Sequence, residues 1–399
     1  MNPLTSALAS ACLVACALAQ GHPVGTRTVA WPNTSGVGSH VIDATVHYPA
    51  APDGSCPPAG EKGEGWPVVV FLHGYSQLGS DYHALGEHLA ESGFVAVMID
   101  TGQYHWPTLE ADARAMFTVL TGANRAVGGP FHDRLDMSRV GLMGHSMGGG
   151  AAAYVLADDP AQGLSNPGYR CGLALTPVDP GPIASSVHVP FGVVSGDGDL
   201  ITPPLVHASP YYEALAPQSG IKFHYHLGLA ADHMNVAGLW PNAPDVFDRT
   251  CRVAVGFFGH FAGRDVAGLE AVLGADGIGD ANLMELVSET ITPQSWVDRP
   301  LRVGTVTRIS VSSEVGYGGV LAAAATSAPT PTWIGTLLLD PHSVWTFAEG
   351  LVPGNRFDAI VNVPAIPALA GMAIAFQGAA ANTVTPLTLG TAMSFEIRP

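Results

Sequence analysis

Basic residues are the scarcest class in this chain. Lysine and arginine together number 16 against 33 aspartates and glutamates, lysine occurs only at Lys62 and Lys222, and the formal charge is −17 over 399 residues. Such a surface offers no basic patch to a phosphate backbone or an anionic headgroup layer, which argues against nucleic acid and acidic membranes as partners. Charged residues of both signs amount to only 12%, whereas 47% are hydrophobic. That balance excludes a disordered chain, and the length suffices for two domains with packed cores. No apolar run beyond the N-terminus reaches the ~18 to 20 residues of a transmembrane helix. Cysteine is also sparse, and Cys56, Cys171 and Cys251 lack the spacing of a metal site, so no zinc is expected.

The N-terminal segment from Pro3 to Ala19 is apolar and ends in Ala17-Leu18-Ala19 before Gln20. It has the form of a secretory core followed by a small-residue cleavage site, although its start holds no Lys or Arg. Residues 1–19 are therefore expected to be a signal peptide and the mature chain to be exported. Leu13-Val14-Ala15-Cys16 also has the form of a bacterial lipobox, whose outcome would be a protein tethered to lipid through Cys16. Cleavage before Gln20 would leave Cys56, Cys171 and Cys251, which allow one disulfide and one free thiol with the pairing open.

From about Thr26 to Gly263, apolar strand-like runs alternate with amphipathic helical ones, the signature of a largely parallel sheet with helices on both faces. Strands are expected near 41–48, 68–72, 95–99, 140–143, 172–175, 191–194 and 223–227, with helices near 81–92, 109–120, 151–157, 211–216 and 246–261. The first two strands, with no helix between them, are expected to form an antiparallel edge. After Arg264 the sequence turns rich in Gly, Asp and Ala up to about Pro300, and then into short strand-like segments separated by turn residues. The expected organisation is an α/β catalytic domain over 20–264, a linker over 265–300 and an all-β sandwich over 301–399.

The stretch Gly144-His145-Ser146-Met147-Gly148-Gly149-Gly150 follows the apolar run Val140-Gly141-Leu142-Met143 and precedes Ala-rich Ala151–Ala157. Glycines two residues either side of a serine permit a sharp strand-to-helix turn that leaves the hydroxyl exposed at a helix N-terminus. Ser146 is the candidate nucleophile. A serine hydroxyl needs a histidine to take its proton and a carboxylate to hold that histidine in one tautomer. The strand ending in Val193-Val194 runs into Ser195-Gly196-Asp197-Gly198-Asp199, and the strand at 223–227 is followed by Asp232-His233. Asp199 and His233 are the expected acid and base, with Asp197 and Asp232 as rival carboxylates. Acyl transfer also requires donors for a developing oxyanion. The amide after the nucleophile, Met147, and that of Tyr75 in Leu72-His73-Gly74-Tyr75 are the candidates. His224 and His226 share one face of a strand and form a possible metal pair, but with no third ligand in sequence they read as core or surface histidines.

On these residues the region 66–262 resembles the α/β-hydrolase superfamily, in particular its group of chlorophyllases, platelet-activating-factor acetylhydrolase-like enzymes and cutinase-like poly(ethylene terephthalate) hydrolases. Leu72-His73-Gly74-Tyr75, Leu89-Ala90-Glu91-Ser92-Gly93-Phe94-Val95-Ala96-Val97, Ile99-Asp100-Thr101 and the Ser146 motif carry the likeness. The resemblance implies the same roles for Ser146, Asp199, His233, Tyr75 and Met147, and a substrate contact at Val178. It departs in three places. The loop Thr176-Pro177-Val178-Asp179 has no tryptophan where polyester hydrolases carry one, and Gly196 and Asn235 stand where those enzymes have a disulfide. Met147 in turn replaces the arginine of chlorophyllases.

The connection Pro180–Val189 is too short for a helical lid, so an open cleft is expected, suited to bulky or polymeric esters. The expected protein is an exported serine carboxylic-ester hydrolase, monomeric and needing no cofactor. The alternatives are a lactone hydrolase or acyltransferase on the same triad, or an inactive hydrolase-like protein that binds a surface. The C-terminal region is expected to stabilise the chain or bind a polymer or cell surface.

Overall fold

The computed structural model describes residues 21–51, 65–215, 221–228, 230–263, 268, 272, 283–290, 294–297, 301–312, 316–332, 335–352, 356–381 and 388–397. The signal-peptide expectation, Cys16 and Cys56 lie outside them.

A run such as Val68-Val69-Val70-Phe71-Leu72, branched or aromatic at nearly every position, suits a strand buried on both faces. It forms the middle of a nine-stranded sheet. In chain order the strands are β1 (Val24–Pro32), β2 (Val41–Pro49), β3 (Trp66–Leu72), β4 (Val95–Ile99), β5 (Leu135–His145), β6 (Cys171–Leu175), β7 (Phe191–Gly196), β8 (Ile221–Leu227) and β9 (Leu283–Thr290). The spatial order is β1-β2-β4-β3-β5-β6-β7-β8-β9. Pairing from β4 through β8 is parallel, and β1, β2 and β9 are antiparallel to their neighbours.

Two expectations need correction here. The antiparallel edge is made by β1 and β2, not by β2 and β3, because β4 inserts between those two and β2 pairs with it. Within the expected linker 265–300, residues 283–290 run as β9 against β8 and residues 294–297 pair with the strand at 306–312.

Among the described residues, the helices that cover the sheet are α1 (His83–Glu91), α2 (Trp106–Arg125), α3 (Met147–Leu156), α4 (Ala208–Ala214) and α5 (Pro244–Phe261). Alternation along the strands divides the core. Val68, Val70 and Leu72 with Val95, Val97 and Ile99 face Leu109, Met116 and Leu120 of α2 and the alanines of α3. Val69 and Phe71 with Ala96, Met98, Leu173 and Phe223 face Leu85 and Leu89 of α1 and Phe257 and Phe258 of α5. Cys171 and Cys251 are both buried in this second layer as free thiols, and desolvation pushes both well above the ordinary thiol value.

The remaining strands are β10 (Gln294–Val297), β11 (Val306–Ser312), β12 (Gly316–Ala323), β13 (Thr326–Thr332), β14 (Gly335–Leu339), β15 (Trp345–Val352), β16 (Arg356–Asn362), β17 (Ala373–Ala381) and β18 (Thr388–Glu396). All their pairings are antiparallel, in sheets ordered β10-β11-β16, β15-β12-β17-β18 and β13-β14. Ile309 and Val311 of β11, Val361 of β16, Val320 of β12 and Phe376 of β17 belong to one apolar cluster, so the first two of these sheets share a core separate from the nine-stranded one. Among the described residues no helix is long and apolar enough to cross a membrane.

The ring of Phe258 occupies space that only glycine leaves open, since a Cβ on Gly141 would lie 2.5 Å from it. Phe258→Ala is expected to destabilise the nine-stranded region by about 3 to 5 kcal/mol, the range for emptying a buried aromatic site. Denaturant unfolding followed by tryptophan fluorescence checks it.

Candidate active site

Ser146 is the single residue between the end of β5 and the start of α3, and the chain reverses direction on it. Its backbone has φ 53° and ψ −116°, a conformation that costs a non-glycine residue on the order of 1 to 3 kcal/mol. The surroundings impose it. The Ser146 N–H donates to the Leu175 carbonyl at 3.0 Å, and its carbonyl accepts from Gly150 at 3.1 Å and Val178 at 3.0 Å. A Cβ on Gly144 would lie 2.3 Å from the Gly148 oxygen, and one on Gly148 would lie 2.2 Å from the Leu72 oxygen. Both flanking glycines are therefore required by close backbone approach.

The hydroxyl of Ser146 lies 2.9 Å from His233 Nε2, and His233 Nδ1 lies 2.8 Å from Asp199 Oδ2. With Nδ1–H donating to the carboxylate, Nε2 holds the lone pair that accepts from the serine. His233 stands on the loop after β8 and Asp199 on the turn after β7. Asp199 is buried and its carboxylate is fully occupied: Oδ1 accepts the N–H groups of Ile201 and Thr202 at 2.8 Å each, and Oδ2 also accepts the Thr202 hydroxyl at 2.7 Å. Desolvation, the largest single influence, pushes this carboxyl up, but the bonds from His233 and Thr202 together outweigh it and hold the group below its ordinary value.

The rival carboxylates serve elsewhere. Asp232 accepts the N–H groups of Met234 and Asn235 at 2.9 and 2.8 Å and so closes its own turn. Asp197 faces His226 Nε2 at 3.6 Å. His224 Nε2 and His226 Nδ1 converge on the Ser195 hydroxyl at 2.7 and 2.8 Å. Burial, with the neighbouring His226, lowers His224 to about 4. Among the described residues no group of three or more His, Cys, Asp or Glu could hold a metal ion.

The backbone N–H groups of Tyr75 and Met147 have no acceptor among the described residues. Met147 opens α3, where the helix leaves such donors unpaired and the macrodipole favours negative charge. Gly74 brings the other strand of backbone close, since a Cβ there would lie 3.3 Å from the Ser146 Cβ. Val178 is half-buried and is tied to the Ser146 carbonyl. The Tyr75 ring is exposed and meets the exposed Tyr104 edge-on at 5.5 Å.

Three residues of this centre have no role assigned in the sequence reading. Thr202 places its hydroxyl 2.7 Å from Asp199 Oδ2 and 3.0 Å from His233 Nδ1. Tyr82 and His145 meet each other at 2.8 Å. A threonine three residues after the carboxylate and a histidine before the serine are the sequence signals, but neither carries meaning without the contacts.

The profile of the PET hydrolase-like family matches residues 10–237. Cutinase 2 of Thermobifida cellulosilytica is 34% identical over 155 residues, covering 37% of this chain and 53% of that protein. Bis(hydroxyethyl) terephthalate hydrolase of Streptomyces coelicolor is 33% identical over 178 residues, covering 43% of this chain and 49% of that protein. Cutinase 1 of Thermobifida cellulosilytica is 30% identical over 207 residues, with coverages of 51% and 69%. The chain spans about half the length of the first two of these relatives.

Because the folded Asp199 carboxyl is depressed, its ionised form contributes stability that is present above the unfolded value of about 4 and is lost as pH falls through the lower folded value. Asp199→Asn is expected to remove this part of the acid dependence, so that wild type and variant converge in stability as pH is lowered below about 4. Urea midpoints measured across the acid range check it.

Proposed function

The chain belongs to the PET hydrolase-like family, and from that premise we propose that it is an exported serine carboxylic-ester hydrolase acting through an acyl-Ser146 intermediate. The observation that carries this reading is the continuous relay from Ser146 Oγ through His233 to the saturated carboxylate of Asp199.

In this reading Ser146 Oγ bonds to the ester carbonyl carbon as its proton passes to His233 Nε2. The resulting imidazolium is held against Asp199, which stays ionised, and the carbonyl oxygen takes up the electron pair as an oxyanion facing the N–H groups of Tyr75 and Met147. Collapse of that intermediate expels the alkoxide, which leaves as the alcohol after receiving the proton from His233. Water then repeats the sequence on the acyl-enzyme: it loses a proton to His233, attacks the carbonyl, and Ser146 recovers its proton as the acid departs. Each step needs only groups already in the relay.

Substrate class follows from the rim. The connection that could have carried a lid holds only the short 3₁₀ turn Gly181–Ser186, which favours an open cleft. Tyr75, Leu200, Ile201, Leu205, Val206 and Trp240 are exposed side chains on the oxyanion, acid and base loops, and exposed Tyr104, on the connection from β4 to α2, packs edge-on against Tyr75. Such a rim suits bulky or polymeric esters presented at a surface. Similarity to cutinases and to a bis(hydroxyethyl) terephthalate hydrolase points to the same class. Val178, where a flat aromatic platform would otherwise stand, favours aliphatic over terephthalate-like acyl groups.

We assign catalysis to the region through β9, and read residues 301–399 as an accessory β-sandwich that binds a polymer or cell surface. Adsorption of the full chain and of a chain ending at Thr290 to an aliphatic polyester film separates the contributions, and equal adsorption removes that role from the C-terminal strands.

Labelling with a fluorophosphonate probe and turnover of short-chain p-nitrophenyl esters test the central claim. Wild type is expected to label stoichiometrically, and Ser146→Ala to lose labelling and on the order of 10⁶-fold in kcat. Well-folded wild type that neither labels nor turns over would sink the reading in favour of an inactive surface-binding protein.

A further inference from the structure

His145 stands where the oxyanion loop, the elbow and the base loop converge, and its hydrogen bonds admit only one placement of protons. Its Nε2 lies 2.8 Å from the carbonyl oxygen of His233 and its Nδ1 lies 2.8 Å from the hydroxyl of Tyr82. The same hydroxyl lies 2.9 Å from the backbone nitrogen of Gly74. A carbonyl oxygen only accepts, so the ring proton sits on Nε2. A backbone N–H only donates, so Tyr82 Oη accepts from Gly74 and gives its own proton to Nδ1. The result is a directed chain from Gly74 N–H to the Tyr82 hydroxyl, to the imidazole of His145, to the carbonyl of His233. Every donor in it has an acceptor.

Both side chains are almost completely buried. Burial first, and then the adjacent His233, pushes the His145 imidazole down to about 3, so the ring remains neutral at any pH at which the protein would work. Burial likewise pushes the Tyr82 hydroxyl up. The chain therefore keeps its direction across that range. Space reinforces it: a Cβ on Gly74 would lie 3.0 Å from His145 Nδ1 and 3.1 Å from Tyr82 Oη, so any side chain there would press on both partners of the tie.

We propose that Tyr82 and His145 are positioning residues that fix the oxyanion donors relative to the general base, by tying the residue before Tyr75 to the backbone of His233 through the neighbour of the nucleophile. The proposal rests on the ester-hydrolase reading and extends it to two residues outside the triad. Its physical basis is the placement of the ties. One ends a single residue from the Tyr75 amide, and the other ends on the main chain of the base itself. If either loop shifted, it would strand a buried donor or acceptor, which a desolvated site resists strongly. Misplacing reacting groups by about 1 Å can cost on the order of 10²-fold in rate. Packing is supplied separately by the rings, Tyr82 against Phe71 at 4.5 Å and His145 against His233 at 4.7 Å. Tyr82→Phe therefore removes the tie while leaving the packing.

The test compares wild type, Tyr82→Phe, His145→Leu, His145→Gln and the Tyr82→Phe/His145→Leu double variant on p-nitrophenyl butyrate. Rates are normalised to phosphonate-titrated sites and measured well below each melting temperature. Tyr82→Phe is expected to lower kcat about tenfold or more with little change in KM. His145→Gln, which offers an amide N–H and a carbonyl in place of the ring's donor and acceptor, is expected to retain more kcat than His145→Leu. The double variant is expected to be little worse than the poorer single variant, because both break one chain. Imidazole nitrogen NMR on the intact wild type is expected to show His145 as the Nε2–H tautomer, without titration between about pH 5 and 9.

Unchanged kcat in Tyr82→Phe, additive losses in the double variant, or a His145 ring that carries its proton on Nδ1 or titrates near neutrality would overturn the proposal. A folded wild type that takes no phosphonate would defeat the hydrolase reading instead, while the NMR tautomer would still decide whether the chain of bonds exists.

Discussion

Everything at the centre of this molecule depends on backbone crowding at one turn. Ser146 has a positive φ because the main chain before and after it runs against β3 and against its own helix, leaving no room for a Cβ at Gly144 or Gly148. The cost of that conformation is on the order of 1 to 3 kcal/mol, and the hydrogen bonds of Ser146 to Leu175, Gly150 and Val178 restrain it. One consequence is geometric: the hydroxyl projects at the carboxyl edge of the sheet, where β7 and β8 deliver Asp199 and His233. Another is electrostatic, since α3 begins on the next residue and presents an unpaired N–H there.

The polar groups gathered at that edge are buried, and their arrangement answers the desolvation cost atom by atom. Asp199 accepts four donors, two of them backbone amides two and three residues further along its own turn. This is why burial fails to neutralise it. His145 follows the opposite course, kept neutral by burial and given one donor partner and one acceptor partner. A carboxylate kept charged and an imidazole kept uncharged thus stand behind one serine, each satisfied by its own hydrogen bonds.

The elbow was legible in the sequence because its requirements are local: a branched apolar strand, glycines at fixed spacing, and a small-residue helix. Asp199 and His233 were legible because each follows the end of a strand. The sequence favours Asp199 over Asp197 and Asp232, but the contacts that separate the three, His233 for Asp199, His226 for Asp197 and its own turn for Asp232, appear only in the fold. Strand order was less accessible. β1, Val-Gly-Thr-Arg-Thr-Val-Ala-Trp-Pro, is largely solvent-facing and carries little apolar periodicity, and the insertion of β4 between β2 and β3 is a tertiary choice. β9 was obscured by the Gly- and Asp-rich residues around it, although its partner β8 had an open edge for it to join. Tyr82 and His145 are 63 positions apart, and no spacing rule links them.

The centre and its rim obey different physics. Inside, hydrogen bonds between buried partners allow one arrangement, and the parallel strands beneath are packed on both faces. Outside, Leu200 is 89% and Leu205 86% exposed, on the same connection after β7 that holds Asp199 by four hydrogen bonds. The turn can serve both ends because two of the carboxylate's four donors are backbone amides: Ile201 and Thr202 donate from the main chain, which leaves the Ile201 side chain free to face solvent. An exposed apolar residue there costs solubility, and the chain's net charge of −17 offsets that cost by keeping copies apart. A scarcity of basic residues and an apolar rim thus act against each other, since like charge opposes the association that exposed apolar side chains favour.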